Sequence, residues 1–209
     1  MDIHLDVQLY ITAFATLFVI IDPLALAPVF VALTQGMDDA RRRELAFRAC
    51  VIAIGLLTLF GLLGELILSA IGIGLPAFKI SGGLLLFVTA IDMLFERRNQ
   101  RREGKHAEPE HDPSVFPLAT PLLAGPGAFA TMILLVNDSS ASGPAHTLAI
   151  HLVMVSVVLI AYILFLVSGY VERLMGRTGL LVTTRLLGML LAALSVQFVI
   201  DGIKGAGLI

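Results

Sequence analysis

Six apolar runs, each long enough to cross a bilayer, fill nearly the whole chain, at about 8–34, 46–70, 77–95, 115–137, 146–171 and 180–203. A spanning helix needs about 20 consecutive apolar residues, so these runs and one long polar stretch, Glu96 to Asp112, leave no room for a soluble catalytic domain. Residues are 57% hydrophobic and 14% charged, with a mean hydropathy of +0.93, which is too apolar for a water-soluble domain of this size. The expected fold is an all-α membrane protein of six transmembrane helices.

Charge placement orients those helices. Arg41, Arg42, Arg43 and Arg48 follow the first run. Arg97, Arg98, Arg101, Arg102 and Lys105 follow the third, and Arg173, Arg177 and Arg185 lie between the fifth and sixth. The connections around Gly72–Gly74 and Ser139–His146 hold no Lys or Arg. With alternating loops, all of the fourteen basic residues but Lys79 and Lys204 fall on one face. The positive-inside bias makes that face cytoplasmic, so both termini are expected outside the inner membrane of a bacterium. The acidic opening (Asp2, Asp6) is unlike a signal peptide, and the first run is read as a span.

Two segments repeat a pattern that membrane helices seldom collect: Asp22-Pro23-Leu24-Ala25-Leu26-Ala27-Pro28 and Thr120-Pro121-Leu122-Leu123-Ala124-Gly125-Pro126. Further on, Lys79-Ile80-Ser81-Gly82 resembles Arg185-Leu186-Leu187-Gly188, and Thr89 aligns with Ser195. The chain thus divides into a three-helix repeat over 1–95, a charged cytoplasmic loop over 96–114 and a second repeat over 115–209. Each repeat has an odd number of spans, so the two cross in opposite senses. Such inverted-topology repeats recur in secondary transporters.

Proline lacks an N–H and clashes with the carbonyl four residues earlier, so the first and fourth helices are expected to be broken. Pro23 and Pro28 would free the carbonyls of Val19 and Leu24; Pro126 would free that of Leu122, with Gly125 and Gly127 loosening the backbone further. Such backbone at membrane depth must be buried or line a wet cavity, which makes Asp22, Pro23, Leu24 and Pro28, with Thr120, Pro121, Gly125, Pro126 and Gly127, the candidate substrate-binding set. Half-helix N-termini suit a carboxylate and freed carbonyls suit an ammonium, so a zwitterionic amino acid fits both; a simple packing kink is the alternative. Asp22, an intramembrane carboxyl, is the candidate for coupling to a proton or sodium ion, or it caps the helix that follows. Ser81, Gly82 and Gly188 are expected to let the third and sixth helices approach the breaks, or only each other. Surface-reaching or paired structural roles are expected of Glu65, Asp92 and Asp201.

Several classes drop out. Cys50 is the single cysteine, so an intramolecular disulfide is excluded and a packing role expected. His106, Glu108, Glu110, His111 and Asp112 match no defined metal spacing and read as a solvated loop. No His-Glu-x-x-His or Gly-x-Ser-x-Gly occurs, so an enzyme is not expected; His151 reads as a packed or hydrogen-bonded imidazole. No basic face offers itself to nucleic acid. Neither a cofactor nor a metal is called for.

The run Pro117-Leu118-Ala119-Thr120-Pro121-Leu122-Leu123-Ala124-Gly125-Pro126-Gly127-Ala128 resembles the MarC family of bacterial membrane proteins. Asp22-Pro23 with Pro28-Val29-Phe30, Gly82-Gly83-Leu84-Leu85-Leu86-Phe87 and Gln197-Phe198-Val199-Ile200-Asp201-Gly202-Ile203 carry the same resemblance. It implies a six-helix inner-membrane protein related to LysE-type exporters that moves small neutral amino acids such as glycine or alanine. The expected function is secondary transport of such an amino acid by alternating access, ion- or proton-coupled. A non-transporting scaffold acting through the Glu96–Asp112 loop, or an exporter of another small solute, is the alternative; the oligomeric state is left open.

Overall fold

The computed structural model describes residues 7–95, 112–138 and 143–207. The charged loop from Glu96 to His111, with its histidines, lies outside the described residues, as do the side chains of Glu172, Arg173 and Arg177. The described chain is helical, in the order α1 (Val7–Ile21), α2 (Pro23–Leu33), α3 (Asp39–Ala70), α4 (Leu75–Leu94), α5 (Ser114–Leu123), α6 (Pro126–Val136), α7 (Pro144–Leu166) and α8 (Ser168–Gly205). Five stretches are long and apolar enough to cross a membrane: Val7–Leu33, α3, α4, α7 and Leu181–Gly205. A sixth arises if α5 and α6, bent by 55°, count as one broken span.

Capping chemistry sets the start of α3. The sequence reading leaves Gly36 to Glu44 as a loop, but α3 begins at Asp39. Asp38 caps it by accepting from the Arg41 N–H at 2.7 Å, and Asp39 sits in the positive first turn. Arg41 then pairs with Glu44 at 2.8 Å on the same helix face. At the other boundary of this kind, α8 starts well before the sixth apolar run and bends at Gly176, whose φ of 61° is left-handed.

Apolar residues surround most helices, so burial depends on neighbours. The first span is central: 67% of its most apolar window is buried, against 22–33% for the other four. Leu62, Leu66, Leu84, Val88, Leu152 and Leu190 point outward from α3, α4, α7 and α8, as lipid-facing side chains should.

Side-chain contacts give the helix directions. Tyr10 meets His146 and Phe30 stacks on Phe165, so α1 and α2 run parallel to α7. Phe60 meets Phe129 and Gly64 packs on Ile133, so α3 runs parallel to α6. By contrast Phe47 meets Tyr162 while Gly61 abuts His151, making α3 antiparallel to α7. Gly202 lies on Pro76 and Ile80, Gly83 on Ser195 and Val199, and Gly188 on Ala90 and Met93, making α4 antiparallel to α8. A Cβ on Gly83 would sit 2.7 Å from the Ser195 carbonyl oxygen; only hydrogen there permits so close a seam. Each broken span therefore leans on the middle helix of the other half.

Candidate functional site

At the first break the chain interrupts its helix for one residue. Asp22 adopts φ 52° and ψ 63°, the single positive-φ residue other than glycine among those described. Two local rules meet there. The residue before a proline is pushed out of the right-handed helical region, and Asp is among the few side chains that tolerate the left-handed one. Asp22 is fully buried, and its Oδ1 accepts from the Ala25 N–H at 3.3 Å, capping α2. Pro23 takes the first helical position, where a missing N–H costs nothing. The backbone hardly opens: Asp22 N–H donates to Phe18 O at 2.9 Å and Leu26 N–H to Asp22 O at 3.2 Å. Pro28, expected to extend the break, lies inside an unbroken α2.

The second break is wider and displaced. Phe116 and Thr120, each preceding a proline, are extended at φ −131°, ψ 125° and φ −127°, ψ 129°. Around each of them the chain closes a wide turn, with Leu118 N–H to Pro113 O at 3.3 Å and Ala124 N–H to Ala119 O at 2.8 Å, the i→i+5 pattern often found at functional sites. The Thr120 hydroxyl donates to Val115 O at 3.2 Å, so Thr120 is not the capping counterpart of Asp22 that alignment suggests. The 55° bend falls instead at Ala124–Gly125, just before the second proline. Gly125 heads α6 with no side-chain cap. A Cβ there would lie 2.7 Å from the Pro121 carbonyl oxygen, which reserves the position for glycine.

An uncapped helix start leaves N–H groups without intrahelical acceptors. Those of α6 open on a cavity of about 450 Å³, walled by the break, by Ile20 and Val29 of the first span, and by Thr89 and Asp92 of α4. The wall is mostly apolar, and Asp92 is its one ionisable side chain among the described residues. Phe116, Pro121 and Pro126 are exposed at its rim. The cavity lies toward the end of the bundle where α2 ends and α3 begins. At that end Arg48 pairs with Asp112 at 2.9 Å, and the Ser114 hydroxyl and N–H, ahead of Arg48, hold the Asp112 carboxyl below its ordinary value. At the opposite end α1, α6 and α7 are tied together. Buried His146 donates from Nε2 to Leu135 O at 2.9 Å and meets the Tyr10 hydroxyl at Nδ1 at 3.2 Å, joining α1, α6 and α7.

Of the residues expected to bind, Pro121, Gly125, Pro126 and Gly127 line the cavity. Asp22, Pro23, Leu24, Pro28 and Thr120 do not, although Ile20 brings the first span to its wall. Ser81 is exposed and donates to Phe78 O. Gly82 packs on Ala130 of α6, and Gly188 lies in the α4–α8 seam against Met93 and Ala90; both serve close packing. Cys50 is buried as expected, Glu65 is exposed, and Asp201 accepts from Gln197 at 2.8 Å. His151 bonds Thr147 O through Nδ1 at 2.7 Å.

Thr89, which the repeat aligns with Ser195, and Asp92, of which a surface-reaching or paired structural role is expected, lie on the cavity wall outside the expected binding set. The usable signal was their spacing of three, which puts both on one helix face, together with the alignment that sets Asp92 opposite apolar Phe198.

Comparisons agree with this architecture. Residues 7–207 match the family described as MarC family integral membrane protein. A UPF0056 membrane protein of Methanocaldococcus jannaschii is 36% identical, covering 97% of this chain and 99% of its own. One from Aquifex aeolicus is 35% identical (94% and 92%), and YvbG of Bacillus subtilis, also a UPF0056 membrane protein, is 30% identical (92% and 92%). No solved structure matches.

Proposed function

The chain belongs to the MarC family of multi-pass integral membrane proteins, and from that membership and the cavity we propose a secondary transporter of neutral amino acids in the bacterial inner membrane. Glycine and alanine are the substrates that the resemblance implies. The observation carrying this reading is the chamber at the uncapped start of α6, rimmed by the exposed Phe116, Pro121 and Pro126.

The Gly127 and Ala128 N–H groups, at the positive end of the α6 dipole, bind the carboxylate. Antiparallel pairing of α3 with α7 and of α4 with α8, the equivalent helices of the two halves, supports an inverted repeat. In that arrangement the basic end, with Arg41, Arg42, Arg43 and Arg48, faces the cytoplasm and both termini lie outside. The conformation described is then inward-facing, and alternating access requires the Tyr10–His146–Leu135 contact to part. Asp22, a carboxyl buried at the bundle centre, is the group assigned to coupling with a proton or sodium ion.

Purified protein in proteoliposomes, given labelled glycine and alanine with and without a proton or sodium gradient, tests the reading. Accumulation above that of protein-free vesicles, raised by one gradient, is expected. Flux equal to empty vesicles for every neutral amino acid overturns it, and gradient-driven flux unchanged in Asp22→Asn removes the coupling role.

A further inference from the structure

The chamber lies at hydrocarbon depth. Phe129 meets Phe60, and α6 begins three residues before Phe129. The second break is therefore level with about Leu57 of α3, roughly 13 Å inward of the Arg48–Asp112 pair at the basic end. A sideways opening at that depth meets lipid tails.

The chamber wall runs into the lipid-facing surface with no ridge between them. On α4, Thr89 follows Leu85 by one turn and Asp92 follows Val88 by one turn, so two chamber residues stack directly on two outward-facing ones. Leu85 and Val88 are 49% and 56% exposed. Across the gap, Val115 and Phe116 of α5 are exposed as well. Helix α5 packs on α3, and α4 packs on α8 and α6, but α4 and α5 do not pack closely on each other. The chamber is open on that side.

Polarity disfavours water as its filling. A buried water makes about two to four hydrogen bonds to polar groups, and the Thr89 hydroxyl is already spent on Leu85 O at 3.0 Å. The other polar groups sit at the margins, in the N–H groups at the start of α6 and in Asp92, two residues before the end of α4. Ile20, Val29, Phe116, Leu122 and Leu123 make the rest of the wall apolar. Left empty, a space of about 450 Å³ would forfeit the dispersion contacts of that wall.

We propose that an acyl chain of a phospholipid, from the leaflet on the basic side, enters the chamber between α4 and α5 and lies against Ile20, Val29 and Leu122. The inference concerns the apolar wall and not the N–H groups of α6, so it stands or falls independently of the transporter reading.

The chain contains no tryptophan, so a single introduced indole is an unmixed reporter. Full-length protein carrying Leu122→Trp is reconstituted in phosphatidylcholine vesicles with and without bromine at mid-chain, a contact quencher of indole emission. Leu152→Trp, at a lipid-facing position 61% exposed, and Phe165→Trp, at a position 1% exposed, supply the two limits. The loss of emission at position 122 is expected to lie closer to that at 152 than to that at 165. A loss nearer to that at 165 overturns the inference, as does strong quenching by aqueous acrylamide with none by the brominated lipid. Where Leu122→Trp fails to fold, Val29→Cys in a Cys50→Ala background, carrying a trifluoromethyl label, takes its place. Its fluorine line should broaden when the acyl chains bear a nitroxide, and an unbroadened line overturns the inference.

Discussion

The two proline breaks start from nearly the same sequence and satisfy the helix that follows in opposite ways. In the first, the chain caps itself: Asp22 turns left-handed, accepts the Ala25 N–H and is wholly buried. In the second, the helix start is pushed one proline further along and is headed by Gly125, which has no side chain to offer. Four of the seven aligned pairs differ, and one of them falls at the bend itself. Ala27 precedes Pro28, and Gly125 precedes Pro126 in the aligned position. Alanine favours the helix by about 1 kcal/mol over glycine, so α2 runs on through Pro28, whereas the second segment bends where glycine makes extended backbone cheap. A break capped by its own side chain satisfies the helix start it creates; an uncapped one next to a cavity leaves N–H groups for a ligand to satisfy.

The largest effect should come from closing the second break. Gly125→Ala drives a Cβ toward the Pro121 carbonyl; overpacking of this kind costs about 1–3 kcal/mol. Thermal unfolding should show that loss, and amino acid binding should fall with it. Wild-type stability and binding in this variant would mean that the break does not need its glycine.

Next comes the first break, where three substitutions at Asp22 separate cap from backbone. Asp22→Ala loses the cap and places a residue intolerant of φ 52° there, so it should cost most, about 1–2 kcal/mol. Asp22→Gly loses the cap alone. Asp22→Asn keeps an acceptor oxygen and tolerates the left-handed region, so its melting temperature should stay near wild type. An Asn variant as unstable as Ala would refute the capping account.

The helical spans were largely legible in the sequence, because span length is a local property that hydrocarbon enforces. The phase of each helix was not. Ser81 and Thr89 are both small hydroxyls on α4, yet one points outward and the other into the chamber, and only packing against α6 and α8 decides between them. The start of α3 was missed because the basic run Arg41–Arg43 reads as loop until Asp38 is recognised as a cap. The displacement of the second break was missed because alignment of prolines treats Ala27 and Gly125 as equivalent.

Exchanging that residue pair sharpens the comparison at smaller amplitude. Ala27→Gly should cost about 1 kcal/mol by helix propensity without opening a second chamber, since Asp22 still caps α2; new amino acid binding in this variant would contradict the account.

The smallest effect lies at the basic end. The folded Asp112 carboxyl is held below its ordinary value by Ser114 and then Arg48, so its contribution is present above that ordinary value and lost as pH falls through the lowered one. The pair is partly exposed, and about 0.2–1 kcal/mol is its scale. Melting temperature should fall with acidification in that range, and Asp112→Asn should flatten the fall. An equally steep pH profile in the variant would assign the dependence elsewhere.

The central claim, that solute sits at the second break and not the first, is tested most directly by protection of a single cysteine. In a Cys50→Ala background, one cysteine placed at Thr89 reports on the chamber wall and another at Ala25 reports on the self-capped break. Alkylation at position 89 should slow as the amino acid ligand saturates while reactivity at position 25 stays constant. Protection at position 25 with none at position 89 would contradict the account.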